Sequence, residues 1–417
     1  MSIINSENKK KIINKVEGVL ENSYARSSIS DKDIKIIDRD DLDNKSISLS
    51  LINNGLSNEE IAKKLIDILY AENNLCDEDL AWLIDNLDEK GKKYLFSLSK
   101  KLRDKYYGNK VYLRGLIEFT NYCKRECRYC GINVFNKNVN RYRLTKDEIM
   151  KSCLLGEKLG YNTFVLQGGE DPYYTDEMYV DIVKSIKSLI PDCAVTLSIG
   201  EKSYDSYKTL KEAGVDRFLL RHETTNEELY RWLHPLSEFR TRKKCLEDLK
   251  SLGYQTGAGF MVGLPWYTTK DYVADLRFIK NLEPEMVGIG PYITHKDTQM
   301  NHYKSGDLDT TILMLSLVRM LLPRVLLPAT TALSSIDPNG REYGLNVGCN
   351  VIMPNLSPED HRGDYSLYND KKSSGSESAQ ALKLIKDQLK DFGYDCDMGR
   401  GDSKMLTGFE KIEIIKN

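Results

Sequence analysis

Three cysteines fall within eight residues, Cys123, Cys127 and Cys130, with the spacing C-x3-C-x2-C. Thiolates are soft ligands, and three on one short loop can each hold one iron of a 4Fe–4S cluster. A cluster with a full cysteine set uses four, so here the fourth iron stays open for a substrate or cofactor. Zinc is the weaker reading. Structural zinc needs a fourth ligand and usually comes as paired C-x2-C halves, and the sequence has no second pair. Nine cysteines in 417 residues is an odd number. The first residues lack the apolar stretch of a secretory signal, so a disulfide framework is weaker still and the chain reads as reduced and cytoplasmic. The other six, Cys76, Cys153, Cys193, Cys245, Cys349 and Cys396, stand alone. Cys153 and Cys245 fit helix faces and read as small buried hydrophobes. None of the five histidines forms an i, i+4 ligand pair.

Other residues stand out by type. Gly168 and Gly169 would serve any tight turn; beside a cluster they would also bring a ligand against bare backbone, with Glu170 to meet a cation. Glu201 and Arg221 read either as a structural ion pair, since unpaired buried charge is rare, or as holders of a cofactor's charged ends, the planar arginine fork suiting a carboxylate. Arg114 lies in an otherwise apolar run, where a charge is costly unless paired. It is expected to anchor an anion inside the fold, with the hydroxyls of Thr330 and Thr331 beside it. Met261 and Met353 read by themselves as core. The glycines of residues 257–263 are spaced wrongly for a dinucleotide fingerprint and do not open a βαβ unit.

These residues need a frame. From Val111 onward, β-rich runs at 112–119, 162–167, 194–199, 216–220, 255–261, 286–289, 325–331 and 348–353 alternate with amphipathic stretches such as 146–159, 176–189 and 269–281. Alternation argues for a parallel sheet. Eight such units over about 240 residues argue for a closed (β/α)8 TIM barrel, whose active groups lie where strands end. The candidates do fall at those ends. Residues 1–105 are polar and helix-patterned and read as a helical N-terminal extension, with 106–417 as the barrel and its C-terminal cap. Ser57–Glu60 is a capping box with Leu56 and Ile61 as a staple, and Ile61, Leu65, Ile68 and Leu69 form one apolar face. Residues 28–50 are weakly patterned and read as a flexible link or loose turns. A helix over 376–392 is expected to cover one end of the barrel. With 60 basic and 62 acidic residues, nothing draws the chain toward nucleic acid or an anionic membrane. No apolar run reaches the roughly 18 residues of a spanning helix.

Residues 105–368 resemble the HydE family, radical S-adenosylmethionine (SAM) maturases of FeFe-hydrogenase. The resemblance rests on residues 114–123, 165–174, 219–224, 257–265, 286–291, 327–332 and 350–355. It implies a 4Fe–4S cluster on Cys123, Cys127 and Cys130, with SAM beside it at the top of a barrel. It implies that reductive cleavage gives a 5′-deoxyadenosyl radical, which acts on a cysteine-bound Fe(CO)2CN precursor in assembly of the H-cluster. By matching positions it implies that Tyr129, Gln167, Gly168, Gly169, Glu170, Glu201 and Arg221 bind SAM. It assigns Arg114, Met261, Thr330, Thr331, Tyr365 and Tyr368 to the substrate cavity. The partners implied are the maturase HydG, which delivers the organometallic substrate, the maturase HydF, and a low-potential electron donor. Two departures stand out. Residues 369–378 lack the cysteines that hold an auxiliary cluster in many relatives, and the first 60 or so residues precede the usual family start. The alternatives are a related radical SAM enzyme, such as methylornithine synthase or a biotin synthase-like sulfur inserter, and an iron–sulfur scaffold without catalysis. A sulfur inserter needs further grouped cysteines, and a carrier needs no glycine-lined cofactor site.

Overall fold

The structure, a computed structural model, describes residues 46–371 and 378–406. The chain divides into two compact units, Met1–Gly91 and Lys92–Asn417. In the first, helices Ile47–Asn53, Asn58–Glu72 and Asp77–Asn86 follow one another. The capping box forms as expected, with Ser57 and Glu60 each bonding the other's backbone N–H. Ile61, Leu65, Ile68 and Leu69 are buried. Buried Asp79 accepts from the N–H groups of Ile47 and Ser48 at 2.9 and 2.8 Å, an acid at a helix start where orphan donors collect. Of the weakly patterned stretch 28–50, residues up to 45 lie outside the described residues, and the remainder begins a helix.

The second unit is the barrel. Its first stave is β1, Lys110–Leu113, and β2, Gly115–Thr120, interrupted at Arg114. β3 is Thr163–Gly168, β4 Ala194–Ser198, β5 Arg217–Leu219, β6 Gln255–Ala258 and β7 Met261–Val262. Next come β8 at Met286–Val287, β9 at Gly290–Pro291 and β10 at Val351–Ile352. The order β2-β3-β4-β5-β6-β8 is parallel throughout, and Ile117, Leu166, Leu197, Phe218 and Thr256 align across five strands. The seventh stave, expected at 325–331, forms no regular strand. Pro328 brings no N–H to a ladder, and residues 331–336 turn into a helix. Its backbone nonetheless closes the ring: Val287 N donates to Leu326 O at 3.0 Å, and Ala329 N to Val351 O at 2.9 Å. β10 then pairs with β1. The expected eightfold α/β barrel is what forms.

Helices start where the sequence signals them. Thr145 and Glu148 make a capping box for Lys146–Lys158, and Thr175 caps Asp176–Leu189. The C-terminal helix spans Ser378–Asp391, and what crosses the barrel's N-terminal end is the segment after it. There β11, Asp395–Asp397, pairs with β1. Asp402 then accepts from Arg217 Nη2 and Gln255 Nε2, both at 2.7 Å. Arg400 donates to Cys193 O at 2.7 Å and to Asp216 Oδ1 at 2.8 Å. One end of the barrel is thereby sealed, and the mouth is the opposite, C-terminal end. Among the described residues no helix is long and apolar enough to cross a membrane.

Candidate active site at the barrel mouth

The cysteine loop leaves β2 and is pinned from several directions. Lys124 N donates to Glu170 O at 2.9 Å, Arg128 N to Leu233 O at 3.0 Å and Gly131 N to Leu367 O at 2.9 Å. Arg141 holds the loop's exit through the carbonyls of Ile132 and Asn133, at 2.8 and 2.6 Å. The Gly168–Gly169 turn after β3 lies directly beneath. A Cβ on Gly169 would stand 2.2 Å from Tyr122 O and 2.7 Å from Cys123 Cβ, so the missing side chain is first of all room for the cysteine loop.

The three thiols converge. Burial pushes the Cys127 thiol well up, and the neighbouring Cys130 and Cys123 push it further. Cys130 is pushed up to about 12 by burial and then by Cys123. Cys123 is raised by burial, against which the Arg125 N–H, 3.4 Å from its sulfur, works. Three thiolates facing one space repel one another unless a cation compensates them, which is the electrostatic character of a metal site. Among the described residues no group of three His, Cys, Asp or Glu side chains is gathered to hold one metal ion. A cubane sets each thiolate on a separate iron, so its ligands surround a group of atoms. The residues fit such a cluster.

A charged ring surrounds the loop. Arg125 bridges Glu170 and Glu201, with Nε 2.6 Å from Glu170 Oε2 and Nη2 2.7 Å from Glu201 Oε2. Glu201 also accepts from Arg242 Nε at 2.7 Å and Ser237 Oγ at 3.2 Å. Burial opposes its charge, but Arg242 and Arg125 outweigh it and hold the carboxyl below its ordinary range. Glu201 and Arg221 therefore do not pair with each other. Arg221 Nη2 lies 3.1 Å from Glu223 Oε2 and donates to Phe260 O at 2.8 Å, while its buried Nε has no partner. Arg125, Arg242 and Glu223 escaped the sequence reading. Arg125 had one signal, a cation inside the cysteine motif. Arg242, in the helix Phe239–Ser251, had none.

Tyr129 reaches inward, its hydroxyl 3.1 Å from His234 Nε2. His234 Nδ1 lies 3.0 Å from Tyr230 O, which can only accept. The proton therefore sits on Nδ1, and Nε2 accepts from Tyr129. Burial, then Arg242, lowers His234 to about 3, so it stays neutral.

The expected substrate set is only partly assembled. Tyr365 is buried with the Gln167 side chain near it, and burial pushes its hydroxyl well up. Tyr368 has Ser335 and Arg221 near it, and burial raises it to about 12. Thr330 Oγ1 is buried without a partner. Thr331 lines a cavity of about 400 Å³ with Leu116, Glu118, Met353, Asn355 and Lys371, and with Ala381, Leu384 and Ile385 of the C-terminal helix. Within it buried Glu118 pairs with Lys371 and accepts from Asn355 Nδ2 at 2.8 Å. This pair also escaped the sequence reading.

One expectation is corrected. Arg114 is inside the barrel but turned toward the sealed end: Nη2 donates to Gly401 O at 3.2 Å, and Nη1 lies 3.3 Å from Met286 Sδ. It makes no pocket with Thr330 and Thr331, because the C-terminal segment offers its head group a carbonyl first. Met261 is packed among Leu229, Leu233, Leu264, Tyr292 and Met300, with Tyr129 against the cluster. That is core packing, as its type alone suggests.

Residues 117–279 match the Radical SAM superfamily. Over 274 residues the chain is 50% identical to the [FeFe] hydrogenase maturase subunit HydE of Thermotoga maritima, covering 66% of this chain and 78% of that protein. It is 30% identical to 3-methylornithine synthase of Methanosarcina barkeri, over 68% of this chain and 81% of that one. The crystal structure of methylornithine synthase superposes with a TM-score of 0.71 at 27% identity, covering 80% of this chain and 97% of that one. That of the maturase HydG gives 0.70 at 19% identity, over 89% and 82%, a likeness of fold alone. Identity at half of the aligned positions across most of HydE, with the cysteine loop at the mouth of a closed barrel, makes this chain a member of the HydE family of radical SAM enzymes.

Proposed function

We propose that the chain holds a 4Fe–4S cluster on Cys123, Cys127 and Cys130 and SAM beside it, and acts on a cysteine-bound Fe(CO)2CN unit supplied by HydG in building the FeFe-hydrogenase H-cluster. HydF and a low-potential electron donor complete the proposed partners. The observation that carries this reading is the convergence of three thiols on one space beneath a ring of buried charge. When bound, the cluster and SAM would supply an open iron and the electron that splits the sulfonium.

The chain's own residues do the rest. Arg125 ties the cysteine loop to the ends of β3 and β4 through Glu170 and Glu201, fixing loop height over the barrel. Arg221 keeps a buried Nε free, a donor that a carboxylate satisfies. Tyr365 and the Glu118–Lys371 pair stand together, Lys371 Nζ donating to Tyr365 O at 2.7 Å. An ammonium and a carboxylate side by side complement the charged ends of an amino-acid-bound cargo, and Thr330 Oγ1 adds an unspent donor.

The test is anaerobic reconstitution. Reduced protein with SAM is expected to release 5′-deoxyadenosine and methionine, and to activate apo-hydrogenase together with the other two maturases. Cleavage without hydrogenase activation, and with formation of 3-methylornithine instead, would favour the second relative's chemistry.

A further inference from the structure

The barrel mouth displays an aromatic group that the chemistry above does not use. After β7 the chain turns through residues 264–267, closed by Tyr267 N donating to Leu264 O at 3.2 Å. Trp266 follows Pro265 with φ of +62°. Proline second and positive φ third describe a type II turn, where glycine or asparagine normally stands. Tryptophan there strains the backbone, and little packing answers it, since the residue is 64% exposed. Its ring meets Trp232 and Tyr303 at 5.1 and 5.3 Å. Val134, Phe135 and Leu236, on the cysteine loop and the loop after Trp232, are also exposed. Both Val134 and Leu236 hang on Arg125: Val134 N donates to Arg125 O at 2.9 Å, and Leu236 O accepts from its Nη1 at 3.5 Å.

This patch is a short step from the thiols. Leu233, adjacent to Trp232, accepts the N–H of Arg128, which follows Cys127. The Arg128 guanidinium stands 5.3 Å over the Trp232 ring. Two segments of the rim are cationic, beside a loop of mixed charge that carries Lys296, Asp297 and Lys304. Leaving aside the buried bridge Arg125, residues 124–137 and 231–240 carry Lys124, Arg128, Lys137, Arg231 and Arg240 against Glu126 and Glu238. A second copy of the chain would bring like charge to like.

We propose that this face receives the electron donor: an acidic protein carrying a one-electron flavin or iron–sulfur group, seated on Trp266 and Phe135 above the cysteine loop. Exposed aromatics inside a charged rim are how protein partners are anchored and steered. The step moves one electron, lost by the carrier and gained at the cysteine site, with no atom transferred. The inference rests on the cysteine loop holding a cluster.

The experiment mixes cluster-loaded protein with photoreduced acidic flavodoxin or ferredoxin in an anaerobic stopped-flow, following carrier reoxidation at rising salt. Reoxidation is expected to slow as salt rises. Arg231→Glu with Lys137→Glu should slow it about tenfold or more at low salt. Trp266→Gly should slow it too while raising the thermal midpoint, because glycine suits the turn. In all these variants, SAM cleavage driven by dithionite should match the parent. Carrier rates that ignore both salt and these substitutions would overturn the docking site. Failure of the parent protein to bind iron would instead overturn the cluster reading beneath it.

Discussion

Arg125 Nη2 lies 2.7 Å from Glu201 Oε2, so a residue of the cysteine motif is bonded to the end of the third stave. The same guanidinium holds Glu170 at the end of the second. Both carboxylates are largely buried, and removing a cation from such a network leaves charge uncompensated. Arg125→Met is expected to destabilise the second unit by about 3 kcal/mol and to weaken SAM binding. Arg125→Lys should recover only part, since an ammonium cannot fork between two carboxylates. Denaturant unfolding and SAM titration check both.

Changing Cys123, Cys127 or Cys130 to Ala should abolish the SAM-dependent change in the EPR signal of the reduced protein. Reconstituted parent should bind about four irons, the content of one 4Fe–4S cluster. Reproducible binding of six or eight, lost on changing Cys396 or another lone cysteine, would reveal a further site.

His234 acts through Tyr129. His234→Phe removes the acceptor for the Tyr129 hydroxyl, and Tyr129→Phe removes the donor. Each should reduce the SAM-induced EPR shift with little loss of iron, and the double variant should be no worse than the single ones, as expected for one shared contact. Additive losses would sink the pairing.

Arg217 and Asp402 tie the C-terminal segment to the barrel floor at 2.7 Å. Burial opposes the Asp402 charge, but the Gln255 hydrogen bond, Arg217 and Arg400 outweigh it and lower its pKa from 3.8. A carboxyl lowered on folding contributes stability above its unfolded pKa and loses it as pH falls through the folded one. Unfolding free energy should therefore drop below about pH 4. Asp402→Asn should flatten that limb and cost about 3 kcal/mol at neutral pH, since Arg217 stays buried. An unchanged acid limb would contradict this.

Arg114 tests the sealed end in the opposite sense. Burial, then neighbouring Arg217, disfavours its charge. Arg114→Met should be neutral or stabilising, within about 1 kcal/mol, and should leave SAM cleavage intact. A strong loss of maturation alone would return Arg114 to the substrate cavity.

Much of this was legible in one dimension. The C-x3-C-x2-C spacing puts three thiolates on one loop whatever surrounds it, because neighbours in sequence cannot be far apart in space. Alternating β and helical periods specify the barrel, since each reports which face a local element must bury. The capping boxes at Ser57 and Thr145 are likewise local. What tertiary structure alone decided is pairing over distance. Arg242 reaching Glu201, Lys371 reaching Glu118 and Asp402 reaching Arg217 leave no spacing to read. Each depends on which strand ends the closed ring brings together. Arg114 shows the difference most plainly. Its place in a strand announced a buried cation in need of a partner, but the partner came from Gly401, 287 residues later, in a segment that seals the barrel's far end.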